Sequence, residues 1–281
     1  MSTPSRSTST ADGLFGPETL TWRVNRELVL LLGGGRALLL QVAHPLVAAG
    51  VLQHSDYDTD PWGRLYRTLD VTTKIVFGDA RTSGAAARRL HGVHAKVRGD
   101  APDGTPYDAR DPDLLVWVWA TLVESSLLVY QRCVRRLSPE ELERYYGEQT
   151  RFALACGVPD GHWPDGYAAF TRYFEEMIVA GLDVGDDARL IARAVLRPPL
   201  PGPLRPAFAS LVNLATAGLL PPRLREAYEL RWSATRERLL AASLLAVRGT
   251  RTLVPRVARE FPAARAARRR FTARPRVIRA G

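Results

Sequence analysis

Two short polar clusters carry the residue types that do chemistry in an otherwise apolar chain: Arg64-Leu-Tyr-Arg67-Thr68 and His91-Gly-Val-His94-Ala-Lys-Val97-Arg-Gly99. On helices, Arg64, Arg67 and Thr68 share one face through their i, i+3, i+4 spacing, and His91 and His94 share another. Faces of this kind present a metal ligand and its polar partners to one pocket. The chain has five histidines, and four of them (His44, His54, His91 and His94) lie between residues 44 and 94. A lone helical histidine is most often a hydrogen-bonded core residue, so it is the clustering beside arginines that marks a site.

Other chemistries lack their motifs. There is no HExxH zinc helix, no GxSxG nucleophile elbow and no pair of ExxH motifs for a di-iron bundle. Without a CxxCH, any haem is held without thioether links. What remains is a helical bundle in which one histidine ligates haem iron while arginines neutralise the propionates.

The elements that must position these residues read as helices, with almost no strand alternation. Helices are predicted over 17–32 and 36–52, separated by the Gly33-Gly34-Gly35 turn and with Pro45 as a kink, then over 61–77 and 82–97. Lacking GxxxxGK[ST] or a strand before GxGxxG, the triple glycine reads as an interhelical turn and not as a phosphate cradle. Asp111-Pro112 is an N-cap with proline at the first helical position. It opens a helix to about Cys133 with Leu114, Leu115, Trp117, Trp119, Leu122, Leu127 and Leu128 on every face, as befits the centre of a bundle. Ser138-Pro139-Glu140-Glu141 is a capping box, and its helix ends before Gly157. Amphipathic helices follow over 167–180, 186–196, 204–217 and 223–247. The fold class read from these elements is all-α, a single-domain multi-helix bundle.

At 281 residues, 46% hydrophobic and 24% charged, the chain has ample material for one core. Its net charge of +10 is local: from Arg248 onward 11 arginines face the single acid Glu260, and the rest balances. We expect residues 1–16 as a floppy lead, 17–247 as the helical domain and 248–281 as a basic tail, solvated and dispensable for folding. Such a tail can also seek phosphate, as a peripheral contact with an anionic membrane surface, and no specific nucleic-acid partner is implied. Cys133 and Cys156 lack CxxC spacing and read as small hydrophobes. The N-terminal stretch has no apolar core of a secretory signal, and 37–52 falls short of a membrane span, so the expected location is cytoplasmic.

Several runs together resemble the MpaB-type oxygenases, which include the catalytic domain of rubber oxygenases. They are Leu40-Gln-Val-Ala-His44-Pro45 through Gly50, Arg64-Leu-Tyr-Arg67-Thr68, Phe77-Gly78, His94-Ala-Lys-Val97-Arg-Gly99, Trp117-Val-Trp119-Ala-Thr121 and Tyr145-Tyr146-Gly-Glu148. The resemblance implies an all-α fold around haem b, with attack by dioxygen on an alkene of an apolar, isoprenoid-like substrate. By motif position His94 is the proximal iron ligand. Arg64, Arg67 and Thr68 line the distal side or hold propionates, and His44 is a further pocket residue. Thr121 is placed near the cofactor, and Glu124 is either an acid–base residue or the ion-pair partner of Arg64 or Arg67. Two departures stand out. Arg67 replaces the lysine of the rubber oxygenases and cannot ligate iron, because guanidinium keeps its proton. Trp119 stands where many relatives have histidine, and reads as core packing. The rival readings are a haem-binding protein without turnover and a cofactor-free helical module docking through its basic tail.

Overall fold

The computed structural model describes residues 13–55, 61–196 and 205–272. Its elements in order are α1 (Leu20–Asn25), a 3-10 helix (Leu28–Gly33), α2 (Gly34–Val42), α3 (Pro45–His54), α4 (Pro61–Phe77) and α5 (Ala80–His94). A two-stranded antiparallel ribbon follows, β1 (Arg98–Asp100) with β2 (Pro106–Asp108). Then come α6 (Pro112–Cys133), α7 (Pro139–Cys156), α8 (Gly166–Glu176), a π-helical turn (Met177–Gly181), α9 (Asp186–Leu196) and α10 (Arg205–Leu219). The chain closes with α11 (Pro222–Ala227), α12 (Ala234–Thr250), α13 (Arg256–Arg259) and α14 (Pro262–Thr272). The fold is all-α.

The caps read from sequence set the main helices. The Asp111 carboxylate accepts from the Asp113 amide with Pro112 at the first position of α6, and the Ser138–Glu141 capping box starts α7. Gly157 ends α7 with φ +100°, and a Cβ there would also press on the His91 ring at 3.3 Å, so both conformation and space call for glycine. α6 is the central helix. It is long and apolar enough to cross a membrane, yet 67% of its most apolar window is buried inside the protein, as expected of a core helix. Around it Trp119, Tyr146 and Phe170 form an aromatic cluster with ring centroids 5.2 to 5.8 Å apart, and Trp117 meets Phe174 at 5.6 Å.

Three local expectations change. Gly33–Gly35 does not stop a helix: Gly34 and Gly35 open α2, and a Cβ on Gly35 would run into Thr216 of α10, so this glycine permits close helix crossing. Pro45 starts a new helix, and the axis turns by 107° instead of kinking. The single helix expected over 223–247 is two, broken before Ser233, with Glu229 at φ +56°.

The larger correction concerns the C-terminus. Residues 248–272 are not a solvated tail: they complete α12 and build α13 and α14, whose Ala264 and Ala267 are buried in the main core. Phe271 packs edge-on against Trp22 at 5.6 Å. Two buried glutamates secure this segment. Glu27 takes a two-pronged contact from Arg251, at 2.7 and 3.3 Å, and Glu260 accepts from Arg256 at 3.0 Å and Arg268 at 2.6 Å. Arg26 lies 3.5 Å from both carboxylates, and the backbones at Glu27 and Glu260 pair in an antiparallel bridge. Three of the arginines that read as part of a solvated tail, Arg251, Arg256 and Arg268, thus belong to a charge-paired clamp.

Candidate functional site

The α4–α5 hairpin carries both polar clusters. Its turn is tight because Asp79 caps α5, its carboxylate accepting from the Thr82 amide at 2.7 Å. With antiparallel helices leaving this turn, Arg64 on α4 lies about 20 Å from it and His94 on α5 about 21 Å, at the same end. Arg67 and Thr68 are exposed there, and His94 is half-buried. Tyr66 (72% exposed) and Val93 (51%) leave apolar surface beside them.

The hairpin end is seated on its neighbours through specific contacts. The His91 ring Nε2 sits 3.1 Å from the Ala155 carbonyl near the end of α7, which commits that nitrogen to structure. Val97 and Tyr107 approach Gly50 of α3 closely enough that a Cβ there would meet both at 3.4 Å. Tyr107 also donates its hydroxyl to Gln53 at 2.7 Å. Val97 and Gly99 thus serve to dock the hairpin and ribbon on α3.

His44 is the residue between α2 and α3. Its Nδ1 is buried and has no hydrogen-bond partner among the described residues. Burial pulls its pKa down against the nearby Asp111 charge at the head of α6. Burial likewise lowers His94, helped by the neighbouring His91. Both imidazoles are neutral near pH 7, the form that binds a metal. Neither ring nitrogen of His94 is hydrogen-bonded to a described residue. His91 touches the α7 terminus beside Leu115, with His94 one turn further along α5, and the Asp111 charge at the head of α6 acts on His44, so both stretches lie toward the N-terminal end of α6.

Other expected residues lie elsewhere. Thr121 is fully buried, donating to the Val118 carbonyl at 2.7 Å and accepting from Gln41 at 3.0 Å, which joins α6 to α2. Glu124 sits nine residues beyond Leu115, about 13 Å along α6 from the histidines. Its partner is neither Arg64 nor Arg67 but Arg36, a residue the sequence reading passed over. Arg36 is 2% exposed and also donates to the Leu219 carbonyl and the Ser125 hydroxyl, both at 2.6 Å. Burial draws the guanidinium below its ordinary value while the Glu124 carboxylate opposes the shift. An arginine heading an apolar helix directly after three glycines is the signal that would have found it. A cleft of about 370 Å³ opens over the pair, walled by Phe170, Phe174, Ile178, Val179 and Pro221.

Trp119 is 1% exposed and donates to the Gln149 carbonyl at 3.2 Å, so it is a core residue. His54 stacks edge-on near Tyr107, and His162 pairs with Asp113 at 2.8 Å. The cysteines are free, with thiols pushed up by burial to about 11 at Cys133 and about 12 at Cys156, too high to act as nucleophiles. Among the described residues no three His, Cys, Asp or Glu side chains converge as a metal cage.

Residues 22–249 match the family described as ER-bound oxygenase mpaB/B'/Rubber oxygenase, catalytic domain. The chain belongs to this oxygenase family. It is similar to the uncharacterized protein Rv2237 of Mycobacterium tuberculosis and to the uncharacterized protein Mb2261 of Mycobacterium bovis. Each is 29% identical over 225 residues, covering 78% of this chain and 87% of the relative. No solved structure matches. The family match takes in both histidine clusters, the central helix and most of α12, and ends before α13 and α14.

Proposed function

We propose that this family member is a haem b-dependent oxygenase that uses dioxygen to oxidise an alkene in an apolar, isoprenoid-type substrate. The observation that carries the reading is His94, a half-buried neutral imidazole with no hydrogen bond to a described residue, placed beside an arginine face in a chain of an oxygenase family.

The residues fit a haem. A haem would need one strong protein ligand to its iron, which His94 can supply, since neither of its ring nitrogens is hydrogen-bonded to a described residue. Tyr66 and Val93 offer apolar surface for a flat macrocycle to cover. When bound, the haem would supply the activation of dioxygen, chemistry that side chains cannot provide.

The chain's own groups do the rest. His94 would hold the iron, and the contact of His91 with Ala155 fixes the end of the helix that carries it. Arg64 and Arg67 would neutralise the carboxylates of such a group, since a guanidinium attracts an anion and does not compete for the metal. Thr68 adds a hydroxyl on the same face. The orphaned Nδ1 of His44 is a hydrogen-bonding atom waiting for a partner inside the pocket. Thr121 acts at a distance by holding α6 to α2. Glu124 lines the apolar cleft, which suits a hydrocarbon chain. The π-helical turn beside that cleft leads to Asp183, whose amide donates to the Ala43 carbonyl next to His44.

The test begins with an absorption spectrum of protein purified from haem-supplemented cells. A Soret band is expected, and His94→Ala should lower it at least tenfold without altering the melting temperature of the apoprotein by more than a few degrees. Oxygen uptake with squalene as the probe alkene then separates an oxygenase from a haem carrier. Colourless wild-type protein, or full haem retention in His94→Ala, would overturn the assignment.

A further inference from the structure

Helix α12 has two apolar faces and buries only one. Leu240, Leu244 and Val247 pack inward, the first two only 3% and 4% exposed. On the opposite side the helical repeat aligns Leu239, Ala242, Leu245, Ala246 and Gly249, with Leu239 56% and Leu245 65% exposed. The chain then turns at 251–255 into α13 and presents Leu253, 81% exposed, and Val257, 60% exposed. A helix apolar all round normally lies in a core, so a second apolar face open to water marks a binding surface.

This surface is held rigidly. Arg251 at the start of the turn is fixed to buried Glu27, and Arg256 just beyond Leu253 is fixed to buried Glu260. The backbone closes tightly as well, the Leu253 amide donating to the Thr250 carbonyl at 2.9 Å. The exposed leucine at its tip is therefore presented by the fold, and is not the loose end of a tail.

Charge decides what covers it. Arg238 lies on the exposed face, with Arg248 and Arg256 at its margin, all exposed. The one acid on α12, Glu237, is turned aside to accept from the Trp232 indole at 2.7 Å. A second copy docking face to face would bring these arginines against their own kind, whereas an anionic lipid surface complements them and accepts the leucines. We propose that the outer face of α12 and the α12–α13 turn dock this protein on an anionic lipid bilayer, Leu239, Leu245, Leu253 and Val257 entering the interface while Arg238 and Arg248 meet headgroups. This proposal is independent of the haem reading; it also puts the protein where apolar substrates partition.

Full-length protein is to be sedimented with vesicles of phosphatidylcholine alone and with vesicles also containing phosphatidylglycerol. It should pellet with the anionic vesicles, less so as salt is raised, and weakly with the zwitterionic ones. The double variant Leu245→Glu, Leu253→Glu should cut the bound fraction at least fivefold at an unchanged melting temperature, because both side chains are already in water. Pelleting of the double variant like wild type, or of wild type with neither vesicle, overturns the proposal. So does loss of pelleting on removing residues 273–281 alone, which would assign the attraction to those arginines. A wild-type dimer that the double variant converts to monomer would give the face to a second copy instead.

Discussion

The histidine end of the α4–α5 hairpin and the glutamate clamp under α13 and α14 are both polar assemblies drawn from distant parts of the chain, and they differ in what is left over. At the clamp, Glu27 and Glu260 are 2% exposed and ringed by Arg26, Arg251, Arg256 and Arg268. Between α2 and α3, His44 keeps a buried nitrogen without a partner among the described residues, and at the hairpin end both ring nitrogens of His94 are free of hydrogen bonds to described residues. The clamp's carboxylates are paired, with Arg26 Nε alone lacking a hydrogen bond, whereas imidazole nitrogens that desolvation keeps neutral and that lack partners among the described residues are what a ligand completes. The clamp reads as architecture and the hairpin end as the site.

The severest challenge to this contrast is to place an imidazole where all partners are already made. Trp119→His installs the residue type that many relatives have at this position, yet inside the closed aromatic cluster of Tyr146 and Phe170. Losing most of a buried indole should cost about 3 kcal/mol, somewhat less than truncation to alanine. Haem content per folded molecule should not rise, as read by Soret absorbance against protein in a denaturant-titrated sample. Higher haem retention in Trp119→His than in wild type would move the ligand from α5 to α6.

The clamp itself comes next. Glu260→Ala strips a buried carboxylate from Arg256, Arg268 and Arg26. Removing one member of a buried pair costs about 3–5 kcal/mol, but these arginines are partly exposed and can turn to water, so about 2 kcal/mol is expected. Chemical denaturation measures it. A loss as small as that of an exposed ion pair, below about 1 kcal/mol, would return the C-terminal segment to the status of a loosely attached tail.

That outcome bears on how far the sequence could be read. The central helix, the capping box and the glycine stop at Gly157 were legible because caps and prolines act within one turn of the chain. The histidines were legible as residue types, and the contact of His91 with the end of α7 became visible only when α5 was packed on that helix. Arg36 and Glu124 stand 88 positions apart, and local pattern offers no way to pair them. Arg251, Arg256 and Arg268 were misread for the same reason: charge density along a chain looks like solvation until the buried carboxylates that pair with part of it, one of them Glu27 near the other terminus, are in place.

Acid should open the clamp in a graded way. Burial alone would raise the Glu260 pKa, but the hydrogen bonds from Arg268 and Arg256 and the charge of Arg26 outweigh it and hold the carboxyl below its ordinary value. A carboxylate depressed in the folded state adds stability that is present above its unfolded pKa, near 4.3 for glutamate, and is lost as pH falls through the lower folded value. Amide hydrogen exchange over 256–272 should therefore be slow at pH 6 and quicken below about pH 4 relative to α6, after correction for the intrinsic rate. Equal protection of the two segments at pH 3 would mean that α14 is held by Ala264, Ala267 and Phe271 alone.

The smallest effect separates the two adjacent histidines. His91 is exposed, yet its Nε2 is engaged with the Ala155 carbonyl, whereas His94 is half-buried and makes no such bond. If the commitment of a ring nitrogen marks structure, His91→Ala should cost about 1 kcal/mol or less, the worth of one partly solvated hydrogen bond, and leave the Soret band in place. His94→Ala should do the reverse, sparing stability and removing haem. Haem loss of equal size in both variants would show that the end of α5 must be pinned before His94 can ligate, and a rescue by His91→Asn, which can still donate to the carbonyl, would then identify His91 as the positioning residue.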